Sequence, residues 1–134
     1  MRPRALLLAL SLMTIGCTEQ RRRPVICELT PGYRGWVRVF FDDKSCSPSS
    51  VHEEVRVLVN RDGRGCTSEP FEEGSALDEV FFRRADGSKE TLKRKENMFG
   101  GAIHRVTIAG VDVISWDFFV GTPEEFSVAR RPTP

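Results

Sequence analysis

The sequence contains two histidines, His52 and His104, and one tyrosine, Tyr33. It has no Gly-x-Ser-x-Gly elbow, His-Glu-x-x-His pair, Walker loop or dinucleotide fingerprint. The commonest hydrolase, metalloprotease and nucleotide-dependent chemistries therefore have no support in its motifs. No Cys-x-x-Cys pair is present, so a zinc site on Cys27, Cys46, Cys66 and His52 lacks the usual ligand spacing. No apolar run reaches the ~20 residues that a membrane-spanning helix needs. Basic excess is missing as well, because the formal net charge is only +1. Between Val25 and Ala129 there are 13 basic residues against 18 acidic ones, so the body is mildly acidic and only the tails are basic. A nucleic-acid partner, which would need a basic folded face, is not expected. No cofactor is expected either.

What is present begins with the leader. Arg2 and Arg4 form a positive start, and Ala5 to Ile15 is a weakly polar to apolar stretch of signal-peptide length. Thr14-Ile15-Gly16-Cys17 resembles a lipobox, with threonine where leucine is usual. That resemblance implies residues 1–16 as a cleaved signal and Cys17 as the acylated new N-terminus. Thr18, rather than aspartate, follows the cysteine, which implies sorting to the outer membrane in a cell that has two. The expected location is therefore the cell envelope, with the membrane as a partner through the lipid. The alternatives are an ordinary secretory signal, with Cys17 free to form a disulfide, and a buried N-terminal helix. Residues 17–24 read as the lipidated N-terminus and a flexible, solvated tether. Its Arg21, Arg22 and Arg23 could instead lie on anionic headgroups.

Export places the cysteines where pairing is the default. With Cys17 acylated, Cys27, Cys46 and Cys66 remain as disulfide candidates. Cys27–Cys46 is preferred, because both fall near the same end of an expected hairpin.

Residues 25–131 read as one domain, all-β, with alternation of period two. Expected strands are Val25–Leu29, Trp36–Phe41, Val51–Asn60, Asp78–Arg84, Lys89–Arg94, Ile103–Ala109 and one or two within Val111–Val120. Asn60 to Gly63 is a turn that should return the chain through Gly65-Cys66-Thr67 as a hairpin. Gly100-Gly101 should break the chain. Thr122-Pro123-Glu124-Glu125 has the pattern of a helix start, with a capping threonine, proline at the first position and glutamate at the third. Arg130 and Arg131 would sit at the negative pole of that helix. Strands at this spacing point to a single β-sandwich, of transthyretin-like or immunoglobulin-like arrangement, with a short C-terminal helix.

Several segments carry a likeness to a known group. Leu29-Thr30-Pro31-Gly32-Tyr33-Arg34-Gly35-Trp36-Val37 resembles the opening of a family of small bacterial secreted and lipoprotein domains of unknown function. Asp62-Gly63 with Cys66-Thr67-Ser68, Pro70 to Gly74, Asp78 to Phe82 and the closing stretch Phe118 to Phe126 continue the resemblance. It implies an extracytoplasmic β domain and no activity.

Each candidate site has a plainer reading beside it. Asp42-Asp43 with Lys44 could offer oxygen ligands to calcium, but adjacent carboxylates in a loop are usually solvated. His52 and Glu54 should share one strand face, with Glu53 opposite, as exposed polar residues. His104 has no evident carboxylate mate. Lys93-Arg94-Lys95 is a short basic run on a loop. Tyr33, Trp36 and Trp116 are either an aromatic platform or core, and Tyr33 could bond across its own turn. The leading expectation is a non-enzymatic binding or structural module for a protein or glycan ligand. The alternatives are a small extracytoplasmic hydrolase or metal-dependent enzyme, and an inhibitor or immunity-type lipoprotein with one protein partner.

Overall fold

The computed structural model describes residue 16 and residues 18–133. Cys17 and the signal expected over residues 1–16 lie outside the described residues, apart from Gly16.

Among the described residues, nine strands and one helix form the domain: β1 (Val25–Leu29), β2 (Gly35–Phe41), β3 (Ser50–Val51), β4 (Glu54–Leu58), β5 (Arg64–Cys66), β6 (Glu79–Arg83), β7 (Lys89–Thr91), β8 (Met98–Ile108), β9 (Val111–Val120) and α1 (Pro123–Val128). One sheet has the order β3-β4-β1-β6-β7 and the other β5-β2-β9-β8. The expected all-β sandwich with a short C-terminal helix is what forms. Its sheets are mixed, because β1 runs parallel to both β4 and β6, and β2 runs parallel to β5. An immunoglobulin-like sandwich would have purely antiparallel sheets.

Alternation along the strands builds the core. Val25, Cys27 and Leu29 of β1 meet Val37, Val39 and Phe41 of β2 across the interface, together with Val55, Val57, Val80, Phe118 and Val120. Each strand thereby sends every second side chain inward.

Turn chemistry redraws three boundaries. Val51–Asn60 is not one strand. His52 and Glu53 take φ of 51° and 62° and form a two-residue turn in which Val51 pairs with Glu54. His52 and Glu54 therefore do not share a strand face. Asn60 caps a loop, its Oδ1 accepting from the Asp62 and Arg64 N–H groups at 2.9 and 3.0 Å. The chain then does not return as a hairpin, because β5 crosses to the other sheet and pairs with β2. Gly65 permits this crossing, since a Cβ there would meet Val57 Cγ1 at 2.6 Å. Gly100-Gly101 does not break the chain either. The pair forms a bulge within β8, with the register shifting between Phe99 and Ala102.

Tyr33 ties the opening segment to the Asp62-Gly63 turn. Its hydroxyl donates to the Trp36 carbonyl and lies where a Cβ on Gly63 would sit, 2.0 Å away. Gly63 also takes φ of 76°, so no other residue fits there without strain. The helix start is as expected. Thr122 Oγ1 accepts from the Glu125 N–H at 3.1 Å, and Glu125 Oε2 accepts from the Thr122 N–H at 2.9 Å. Arg130 and Arg131 fall beyond the helix, whose last turn contains no basic residue. Arg131 instead stacks over the Trp36 ring at 4.6 Å.

The disulfide joins Cys46 and Cys66, not Cys27 and Cys46. Cys27 points inward from the central strand of its sheet and is fully buried, and burial pushes its thiol pKa up. Cys46 lies in the loop after β2 and Cys66 on edge strand β5, so these two meet outside the core. The zinc arrangement is not assembled, because two of its four ligands are consumed by the disulfide.

Candidate functional site

Two arrangements of side chains stand out, one on each face of the β5-β2-β9-β8 sheet.

On the outer face, Asp117 is 1% exposed although it carries a carboxylate. Arg38, opposite it on β2, approaches with Nε at 3.3 Å and Nη2 at 3.4 Å. The Ser115 hydroxyl also donates to Asp117. His104 Nε2 stands 3.7 Å from Asp117 Oδ2, beyond hydrogen-bond reach. His104 therefore has a carboxylate neighbour, which the sequence reading did not supply. The pairing lies diagonally across the ladder, since His104 is opposite Ser115. Serine, histidine and aspartate are all present, but the wiring is not that of a nucleophilic triad. There the histidine bridges serine and carboxylate. Here the carboxylate sits in the middle, and the serine is fully buried with its proton committed. The C-terminal tail also lies over this cluster, with Arg38 Nη1 donating to the Thr133 carbonyl at 2.9 Å.

On the inner face, the two sheets do not cover each other completely. Ile103 pairs with Trp116 and shares its inward face, yet Ile103 is 48% exposed. A groove of ≈ 770 Å³ lies there, within the 300–1,000 Å³ range of small-molecule sites. Its apolar wall includes Phe41, Phe71, Met98, Ile103, Trp116 and Phe118. The β8 bulge shapes one end, where Phe126 of α1 stacks on Phe99 with ring centroids 5.2 Å apart. Gly100 is held at φ 65° there, and a Cβ on it would meet Phe126 at 3.0 Å.

The segment expected to be a solvated tether forms part of this groove. From Gln20 onward it is docked on the loop before β6: the Ser75 N–H donates to the Gln20 carbonyl at 2.9 Å, and the Arg22 N–H to the Ser75 carbonyl at 3.1 Å. Arg22 forms a two-pronged pair with Asp78 at 2.7 and 2.6 Å, and that carboxylate also accepts from the Val25 N–H at 2.9 Å. Arg23 pairs with Glu72 at 3.1 Å and with Glu69 at 3.3 Å. These carboxylates hold both guanidinium pKa values above the ordinary arginine value, against the opposing effect of burial. Glu69 is held below the usual carboxylate range, first by a hydrogen bond from Ser50 and then by Arg23. The docked segment thus reaches back beyond Val25, to Gln20 by backbone pairing and to Glu19 through the bond its carboxylate accepts from the Ser75 hydroxyl.

Arg94 and Lys95 also line the groove. Neither side chain has an ion-pair partner among the described residues.

The remaining candidates are dispersed. Asp43 bonds the Ser45 N–H and hydroxyl at 3.0 and 2.6 Å in its own loop. The aromatics do not form one platform: Trp36 lies on the outer face against Phe119 and Phe126, Trp116 is in the groove, and Tyr33 bonds across its turn. Sequence reasoning missed Phe71, Met98 and Ile103 as groove residues. Their only signal was apolar character, which core residues share.

A solved structure from Bacillus anthracis, described as a putative lipoprotein, is similar to this chain with a TM-score of 0.64 and 17% identity, over 85% of this chain and 82% of that one. At that identity the likeness shows the fold alone. No curated protein matches the chain. A family model described as a family of unknown function (DUF6843) matches residues 29–129, and with most of the sandwich inside that match the chain belongs to this family.

Proposed function

We propose that the protein is a non-enzymatic envelope lipoprotein, anchored through Cys17, whose sandwich serves as a ligand-binding module held close to a membrane surface. Where the cell has two membranes, the outer one is the proposed location, on the ground that Thr18 and not aspartate follows the cysteine.

The observation that carries this reading is the docking of the N-terminal segment from Gln20. Only Thr18 and Glu19 separate the backbone-paired Gln20 from Cys17. An extended chain advances at most ~3.6 Å per residue, so an acylated Cys17 would hold the domain within about 10 Å of the headgroups. The groove is the natural place for a ligand, being concave, largely apolar and partly built by the docked segment. The likeness to the B. anthracis protein is in keeping with this reading.

The test is the intact mass of protein from membrane and soluble fractions, for wild type and Cys17→Ala. Acyl mass on the wild type, with the variant released to the soluble fraction, is the expected result. An unmodified wild-type protein in the soluble fraction would overturn the anchor.

A further inference from the structure

We infer that the groove binds the acyl chain of an anionic lipid drawn from the adjoining membrane. The source of the lipid rests on the anchored reading above, whereas the chemistry of the groove stands on the folded domain itself.

Three observations point to this occupant. The first is the wall. Ile103 is inward-facing by register and still 48% exposed, and beside it Trp116 and Met98 are only partly buried. An inward-facing residue left this open has apolar surface that something else can cover. The second is charge. Arg22 and Arg23 are neutralised by Asp78, Glu72 and Glu69, so they offer little to an incoming anion. Arg94 and Lys95 line the same groove without an acidic partner among the described residues. Glu73 lines it too and is likewise without an ion-pair partner among the described residues, so these three unpaired side chains leave a surplus of one positive charge. An apolar tail beside a negative head matches that surplus and a wall of Phe, Met, Ile and Trp. The third is position. The docked segment that leads back to Cys17 contributes Arg22 to the groove lining. A lipidated Cys17 would therefore hold the groove near the height of the headgroups.

The test uses the full chain carrying Cys17→Ala, so that failure of the anchor and failure of the groove are read separately. The probe is a nitroxide-labelled stearate, which quenches tryptophan only near contact. Saturable quenching at one probe per chain is expected, with most of it lost in Trp116→Phe and retained in Trp36→Phe. Ile103→Glu, at a position open enough to leave the fold intact by circular dichroism, should weaken binding at least tenfold. Affinity across saturated fatty acids should rise about fourfold per added methylene until the groove is full. Lysophosphatidylglycerol should displace the probe at least tenfold better than lysophosphatidylcholine of the same chain length. That preference should vanish in the Arg94→Ser/Lys95→Ser double variant.

Absence of saturable quenching would overturn the inference. So would quenching unchanged by both Trp116→Phe and Ile103→Glu, which would indicate non-specific adsorption. Equal displacement by the two lysolipids would overturn the assignment of an anionic headgroup.

Discussion

Two short basic runs, Arg21-Arg22-Arg23 and Lys93-Arg94-Lys95, look alike as sequence and behave differently in the fold. In the first, Arg22 and Arg23 are held by an acidic loop more than 45 residues further along the chain, and they fasten the N-terminal segment to the domain. In the second, among the described residues only Lys93 has an ion-pair partner, Glu96 at 4.0 Å, and both of those side chains are about two-thirds exposed. Arg94 and Lys95 line the groove and have no ion-pair partner among the described residues. A run of like charge thus states a capacity, while the partner that folding brings opposite decides between structure and binding. Arginine suits the first role, because its planar fork meets a carboxylate with two bonds at once.

The sharpest way to break this comparison is Asp78→Ala. It would leave Arg22, whose side chain is 15% exposed, without its counter-ion and the Val25 N–H without its acceptor. We expect a loss of about 3 kcal/mol in urea unfolding, together with new tryptic cleavage after Arg21 and Arg22 in the native protein. Arg23→Ala should cost about 1 kcal/mol or less, because its pairs with Glu72 and Glu69 are more exposed and solvent screens them. The same assay measures it, and a loss larger than that of Asp78→Ala would mean that Arg23, not Arg22, is the principal fastening.

Acidification should weaken the first run and not the second. The folded-state pKa of Glu69 lies below its ordinary 4.5, so its contribution is present above that value and is lost as pH falls through the folded pKa. Glu125, lowered first by the Thr122 N–H and then by Arg34, carries the same sign. The urea midpoint should therefore drop between pH 5 and pH 3, and the Glu69→Gln/Glu125→Gln double variant should flatten that drop. The smallest effect belongs to Arg94→Ser/Lys95→Ser, expected within about 0.5 kcal/mol of wild-type stability. A larger loss would show that these side chains hold the fold and are not free for a ligand.

Much of the fold is legible in the residues. Alternation along Val55, Arg56, Val57 and Leu58 marks a strand buried on one face, and Thr122 to Glu125 carries its helix cap in plain sequence. These features are local, set by interactions within a few residues. His52-Glu53 shows where local reading gives out. Nothing in that pair demands positive φ, yet the tight β3–β4 turn imposes it and divides what looks like one strand. Pairing partners were equally out of reach. β5 joins β2 instead of returning along β4, and Cys66 goes to Cys46, because both outcomes depend on which edge is nearby once the sheets stack. The candidate site was the least visible part. Phe71, Met98 and Ile103 have the composition of core, and only incomplete overlap of two sheets turns them into a groove wall.

The sequence alone therefore determined the class of the fold, its turn at Asp62-Gly63, and its capped C-terminal helix, because periodicity and backbone preference act over short distances. Tertiary structure decided the parallel pairings, the disulfide partner, the burial of Asp117 beside Arg38, and which arginines are spent on the fold. Each of these depends on groups far apart in the chain meeting in a low-dielectric interior or at a shared edge, where burial and charge pairing are settled jointly and no single segment contains the answer.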